Sequence, residues 1–187
     1  MWKEIEAAPA DAILGLTEAF KNDDNPNKVN LGVGVFKDDT GATPILKCVK
    51  AAEVKLAETE TTKGYLPISG SPAYAANVQK LLFGAGAEVI ASGRAATCQT
   101  PGGTGALRVG ADLLKKFNAD AKLWVSTPTW ANHKGIFTAA GFGINDYPYY
   151  DPETRDVDFA GMLAALENVP AGDIVLMHVC CHNPTGV

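Results

Sequence analysis

The chain has 187 residues, 47% hydrophobic and 20% charged, with a formal net charge of -5. That is the composition of a soluble globular protein with room for one sizeable core, and a mildly acidic chain without a basic run is a poor partner for nucleic acid. No stretch reaches the roughly 18–20 consecutive apolar residues that span a bilayer, and Met1-Trp2-Lys3-Glu4-Ile5-Glu6 carries acids where a secretion signal has an apolar core, so a cytoplasmic location away from membranes is expected.

Cysteines stand at 48, 98, 180 and 181, without a C-x-x-C pair. That spacing suits reduced thiols better than a disulfide framework or a zinc site.

Residues 1–30 read as an arm and a short helix. Its apolar stripe is Ile13, Leu14, Leu16 and Phe20, with Asp11 as candidate N-cap, and it is broken by Asn22-Asp23-Asp24-Asn25-Pro26-Asn27. Val29–Phe36 alternates toward a strand interrupted by Gly32 and Gly34. Lys47–Thr59 reads as a helix with Val49, Ala52 and Leu56 on one stripe. Ser71–Phe83 reads as another, capped by Ser71 with Pro72 at its first position.

From residue 95 the pattern becomes regular. A strand is expected at Ala95–Thr100 and a helix at Thr104–Phe117, with Leu107, Ala111 and Leu114 on one face. A strand at Lys122–Thr127 precedes a helix at Asn132–Ala140 that Gly141 ends. Then come an extended Ile144–Tyr150, a helix at Asp158–Glu167 and an apolar strand at Asp173–Val179. Strands alternating with helices predict an α/β fold with a mostly parallel sheet flanked by helices, whose ligands sit where strand ends meet helix starts.

Three segments at such junctions carry candidate chemistry. Thr100-Pro101-Gly102-Gly103-Thr104-Gly105-Ala106-Leu107-Arg108 offers free N–H groups at a helix start plus the Thr104 hydroxyl, as a phosphate cradle does. A glycine-rich turn that merely permits tight packing explains it equally well, and the string is neither G-x-G-x-x-G nor a Walker loop. In Thr127-Pro128-Thr129-Trp130-Ala131-Asn132-His133, Trp130 could stack on a flat heteroaromatic ring and His133 could support a charged partner. A core tryptophan and a surface histidine are the plainer alternative. In His178-Val179-Cys180-Cys181-His182-Asn183-Pro184-Thr185-Gly186, vicinal cysteines along a strand cannot both face one ion, which disfavours a metal. The Asn-Pro-Thr-Gly turn leaves Asn183 as an amide donor. Together an anion cradle, an aromatic plate and an amide donor suit a phosphorylated aromatic cofactor.

These strings, with Asn30-Leu31-Gly32-Val33-Gly34-Val35-Phe36-Lys37 and Thr61-Thr62-Lys63-Gly64-Tyr65-Leu66, resemble class I aminotransferases of the aspartate aminotransferase type, over essentially the whole chain. The resemblance implies a fold-type-I transferase dependent on pyridoxal 5'-phosphate. It implies an arm and small-domain segment at residues 1–34 and the first part of the large cofactor-binding domain at 35–187. Gly103 and Thr104 would hold the cofactor phosphate, and Trp130 would stack on the ring and help hold substrate. Asn183 would hydrogen-bond the ring's phenolic oxygen and lie near the substrate carboxylate, and Gly34 would lie against the substrate. His133 would support the aspartate that pairs with the pyridinium nitrogen. Tyr65 would reach the phosphate in the partner subunit, as in a homodimer, and the arm would cross onto that partner. Cis bonds before Pro128 and Pro184 fit the family.

The implied reaction is transamination between an L-amino acid and a 2-oxo acid such as 2-oxoglutarate. Val35, Lys37, Thr43 and Thr104 look like the aspartate branch, whereas Gly64 is typical of neither branch. The Schiff-base lysine, the pyridinium aspartate and the substrate-binding arginines are expected downstream of the Asn-Pro-Thr-Gly loop, so none of the thirteen lysines is nominated and the 187 residues alone are expected to lack turnover. The rivals are an aromatic aminotransferase, another enzyme of the same fold such as a lyase, a nucleotide-binding module, and a non-catalytic half-domain. The nucleotide module would need an acidic residue near Lys122–Thr127, and that span has none.

Overall fold

The computed structural model describes residues 14–30, 32 and 34–187. The chain divides into two compact units, Met1–Gly64 and Tyr65–Val187.

The first unit contains α1 (Leu14–Asn22) and α2 (Lys47–Thr59). The proposed cap Asp11 and stripe residue Ile13 lie outside the described residues. The end of α1 is set by the expected turn residues. Asp23 and Asn25 each accept a backbone N–H two positions on, at 2.9 Å, and Lys28 Nζ donates to the Phe20 and Asp23 carbonyls. The strand expected at Val29–Phe36 does not form among its described residues: Val29, Val35 and Phe36 are exposed and no ladder meets them. Alternation without a neighbouring strand gives no sheet. Helix α2 forms as read, but its Val49 and Leu56 stripe stays exposed.

In the second unit, α3 (Pro72–Phe83) starts where the sequence indicates, with Ser71 Oγ accepting the Tyr74 N–H and Pro72 in the first turn. It is followed by α4 (Glu88–Ala91). Ala95–Thr100 is not a strand. It is an extended segment tied instead by Gln79, whose Nε2 donates to the Ala95 carbonyl and Thr97 Oγ1, and by the Gln99 N–H to the Ser69 carbonyl. Helix α5 (Gly102–Phe117) opens two residues earlier than expected, and Gly102 at its start adopts φ +65°, a value that few side chains tolerate. Ala111 and Leu107 face the core, whereas Leu114 is partly open.

Strand β1 (Leu123–Thr127) is the centre of a three-stranded parallel sheet. It pairs with β2 (Ile144–Pro148) on one side and β5 (Ile174–Val175) on the other, with Leu123 opposite both Ile144 and Ile174. Helix α6 (Ala131–Ala139) crosses from β1 to β2. A short antiparallel hairpin, β3 (Tyr150–Asp151) with β4 (Asp156–Val157), leads to α7 (Phe159–Leu166), whose N-cap Asp158 accepts the Gly161 N–H at 2.9 Å. The core is Ala111, Ala121, Leu123, Val125, Phe137 and Phe142, with Phe137 and Phe142 edge to face.

Strand β5 is shorter than the Asp173–Val179 run. Beyond Leu176, whose N–H reaches the Trp124 carbonyl, the chain turns away from the ladder and Val179 is exposed. Asp173 fastens β5 to β1, since its two oxygens accept the Lys122 N–H at 2.8 Å and Trp124 Nε1–H at 2.9 Å. The Lys122 bond first, then the Trp124 bond, hold its carboxyl below the ordinary range. The α/β architecture with a largely parallel sheet is thus the one the sequence predicts.

Candidate functional site

The C-terminal ends of β1 and β5 bring two of the three candidate segments together. After β1 the chain passes a cis Thr127–Pro128 bond to Trp130, the N-cap of α6. After β5 it passes a cis Asn183–Pro184 bond within the Asn-Pro-Thr-Gly turn. Both cis positions are those the resemblance implies. The fold explains the convergence: parallel strands release their following loops at one edge of the sheet.

All three histidines of the chain meet there. The Trp130 and His133 rings are edge to face with centroids 5.2 Å apart, and His133 meets His178 likewise at 5.1 Å. His178 stacks on His182 at 4.2 Å, and His182 stacks on Tyr149 at 4.0 Å. His133 and His182 are buried. Burial foremost, and for His133 and His182 also the neighbouring imidazoles, push all three below the ordinary histidine value, so the rings are neutral at physiological pH.

Proton directions follow from one fixed donor. The Asn183 backbone N–H donates to His178 Nδ1 at 3.1 Å, so in neutral His178 the proton is on Nε2. That nitrogen faces Thr129 Oγ1 at 3.5 Å, the outer limit of a hydrogen bond, and Thr129 Oγ1 lies 2.8 Å from His133 Nδ1. Thr129 Oγ1 thus faces the Nε2–H of His178 on one side and Nδ1 of His133 on the other. A second set surrounds His182: Nε2 is 2.9 Å from Ser126 Oγ and Nδ1 is 2.8 Å from Thr185 Oγ1.

The third segment forms the first turn of α5. Pro101 at its N-cap supplies no side-chain acceptor, so the first N–H groups lack a capping side chain at the positive helix end. Gly103 and Thr104 are exposed, and a Cβ built on Gly103 meets nothing within 4 Å. Thr104 and Arg108 line a groove of about 390 Å³ with Asn132, Gly135, Ile136 and Ala139 of α6, which places this turn beside the start of the helix that Trp130 caps. Arg108 is held by Asp112 one turn on.

The structure therefore assembles Trp130, His133 and the Asn183 turn, with Thr104 on the adjoining α5–α6 groove. Tyr65, in the same unit, is fully exposed. Gly34 belongs to the first unit, where it is exposed and a Cβ on it meets nothing within 4 Å. In the sequence Ser126, Thr129, Thr185 and Tyr149 carry no functional signal, and His178 and His182 stand only beside cysteines whose spacing disfavours a metal. The available signal was their four-residue spacing, but stacking them requires the turn at Cys181, with φ +50°, that folds the chain back after β5.

Residues 26–187 match the family described as aminotransferase class I and II. The chain is 54% identical to an aspartate aminotransferase of Salmonella typhi and 53% identical to that of Escherichia coli K12, each over all of this chain and 47% of the relative. It superposes with TM-score 0.94 and 52% identity on an aromatic-amino-acid aminotransferase of Burkholderia pseudomallei solved covalently bound to pyridoxal phosphate, covering all of this chain and 47% of that one. The chain spans about half the length of the relatives it matches. On its sequence match and its fold, this chain belongs to the class I and II aminotransferases.

Proposed function

We propose that the full-length protein carrying this sequence is a pyridoxal-phosphate-dependent aminotransferase that exchanges an amino group between an L-amino acid, aspartate foremost, and a 2-oxo acid such as 2-oxoglutarate. The observation that carries the reading is the continuous line Trp130, His133, Thr129, His178, Asn183 at the sheet edge, beside an α5 start without a capping side chain. A phosphorylated aromatic group fits these residues. The α5 turn supplies N–H donors and a hydroxyl with open space above Gly103, and Trp130 supplies an aromatic face.

In this reading Gly103 and Thr104 bind the phosphate through backbone N–H and hydroxyl, and Trp130 stacks against the ring and fixes its tilt. Asn183 offers its amide to the phenolic oxygen and to a substrate carboxylate. When bound, the cofactor's protonated ring draws off the negative charge left as an amino acid loses its α-proton. In this reading His133 would offer Nε2–H to an acceptor and, being neutral, would add no positive charge there. The family resemblance assigns that acceptor to an aspartate, and the lysine partner of the cofactor to sequence following Gly186. Gly34 would contact substrate and Tyr65 the phosphate of the partner subunit in a homodimer. With this reading go residues 1–34 as arm and small-domain segment, residues 35–187 as the first part of the cofactor domain, and a cytoplasmic location.

Substrate choice has a second reading, because the Burkholderia aromatic enzyme is 52% identical. Turnover of the full-length protein with aspartate and with phenylalanine, each against 2-oxoglutarate, decides it. A higher kcat/KM for aspartate supports the first reading, a higher value for phenylalanine the second, and no turnover with either counts against both.

A further inference from the structure

We propose that His182 is a positioning residue: fixed as its Nε2–H tautomer, it joins the Pro128–Trp130 turn to the Asn183–Gly186 turn and so sets where the Asn183 amide stands relative to Trp130. Ser126 Oγ has one proton, and it donates to the Pro128 carbonyl at 3.0 Å. The Tyr147 hydroxyl also lies against Ser126, but its proton goes to the Leu176 carbonyl at 2.9 Å, so it too can only accept. Ser126 must therefore receive the proton of His182 Nε2 across their 2.9 Å contact.

At the other nitrogen, Thr185 Oγ1 accepts the Val187 N–H at 3.2 Å and has its own proton for His182 Nδ1 at 2.8 Å. The result is one directed chain: Val187 N–H to Thr185 hydroxyl to His182 Nδ1, then Nε2–H to Ser126 hydroxyl to the Pro128 carbonyl. The opposite tautomer would turn Ser126 toward His182 and strip Pro128 of that donor. Burial of the ring favours the arrangement that leaves no polar group wanting.

Besides the bond from the Asn183 N–H to His178 Nδ1 at 3.1 Å, few other contacts hold the Asn183 turn. Asn183 and Pro184 are exposed, while the Gly186 N–H returns to the His182 carbonyl at 2.7 Å and the Tyr149 hydroxyl donates to the Val187 carbonyl at 2.7 Å. Stacked between His178 and Tyr149, His182 is the buried root of that turn. Its far end is the carbonyl of Pro128, two residues before Trp130.

The effect on cofactor rests on the proposed function, whereas the tautomer and the coupling of the two turns do not. The test uses the full-length protein labelled with 15N in histidine and tryptophan. The expected His182 spectrum has a protonated Nε2 and a bare Nδ1. In Thr185→Val, which keeps shape and removes the donor, the Trp130 indole N–H resonance moves although Thr185 does not bond to it, and pyridoxal-phosphate affinity falls about three- to tenfold, the worth of one hydrogen bond. Thr185→Ser restores both. If Thr185→Val does not fold, Ser126→Ala opens the same chain at its other end and is read in the same way. A proton on Nδ1, or a Trp130 resonance that stays put when the chain is opened, overturns the proposal. A wild-type protein that binds no pyridoxal phosphate refutes the proposed function instead, and the two resonances still decide the role of His182.

Discussion

The backbone N–H of Asn183 and Nδ1 of His178 lie 3.1 Å apart, and this bond places the proton of neutral His178 on Nε2, facing Thr129 Oγ1. His178→Phe keeps a ring to stack on His182 but removes the acceptor. The expected outcome is a loss of about 1 kcal/mol in urea unfolding, together with weaker cofactor binding, because the Asn183 N–H is released and Thr129 loses its donor. His178→Asn, which can still accept through its amide, should recover part of both.

The histidine cluster predicts a pH dependence of stability. All three imidazoles are held below their ordinary value, first by burial, so the unfolded chain takes up protons at a higher pH than the folded one. Stability is then level above about pH 6.5 and falls as pH drops below the unfolded value, because protons favour the state that binds them more tightly. The depressed carboxyls Asp38, Asp151 and Asp173 act only at lower pH, near and below their ordinary value of 3.8. Urea midpoints measured between pH 7.5 and pH 5 should therefore decline, and the decline should shrink in His182→Gln.

The helix start at Gly102 predicts a selective defect. Thr104→Val removes an exposed hydroxyl, so stability should change by less than about 0.5 kcal/mol. Affinity for pyridoxal phosphate should fall roughly tenfold, while affinity for pyridoxal without its phosphate should not change. Equal losses for both compounds would mean that Thr104 supports the turn rather than the phosphate.

Much of this was legible in the sequence. The central strand Leu123–Thr127, its flanking helices and the cap Ser71 all follow from local pattern, because their partners are near in sequence or their apolar faces have one place to go. Val29–Phe36 and Ala95–Thr100 look like strands, yet a strand exists only where another offers a ladder, and alternation does not reveal that. Trp130, His133, Asn183 and Thr104 stood out because they sit at strand ends. Ser126, Thr129 and Thr185 did not, because a hydroxyl takes its role from a partner: Ser126 meets His182 from 56 residues away.

Tyr65 gives a prediction about assembly. Its side chain is fully exposed, and the family resemblance assigns its hydroxyl to a phosphate in the partner subunit. Tyr65→Phe in the full-length protein should weaken pyridoxal-phosphate binding several-fold, up to about tenfold, without changing unfolding midpoints. In heterodimers of Tyr65→Phe with Thr104→Val, one of the two sites should carry both defects and the other neither, so half the sites should bind as in the wild type.

The central claim is that Trp130 and Asn183 are two walls of one cofactor site, and equilibrium titration of the full-length protein with pyridoxal phosphate, read by visible absorbance, tests it most directly. Saturation at one cofactor per subunit, with affinity reduced about tenfold in Trp130→Ala and again in Asn183→Ala, is the predicted result. Wild-type affinity in both variants, or no saturable binding in the wild type, would contradict it.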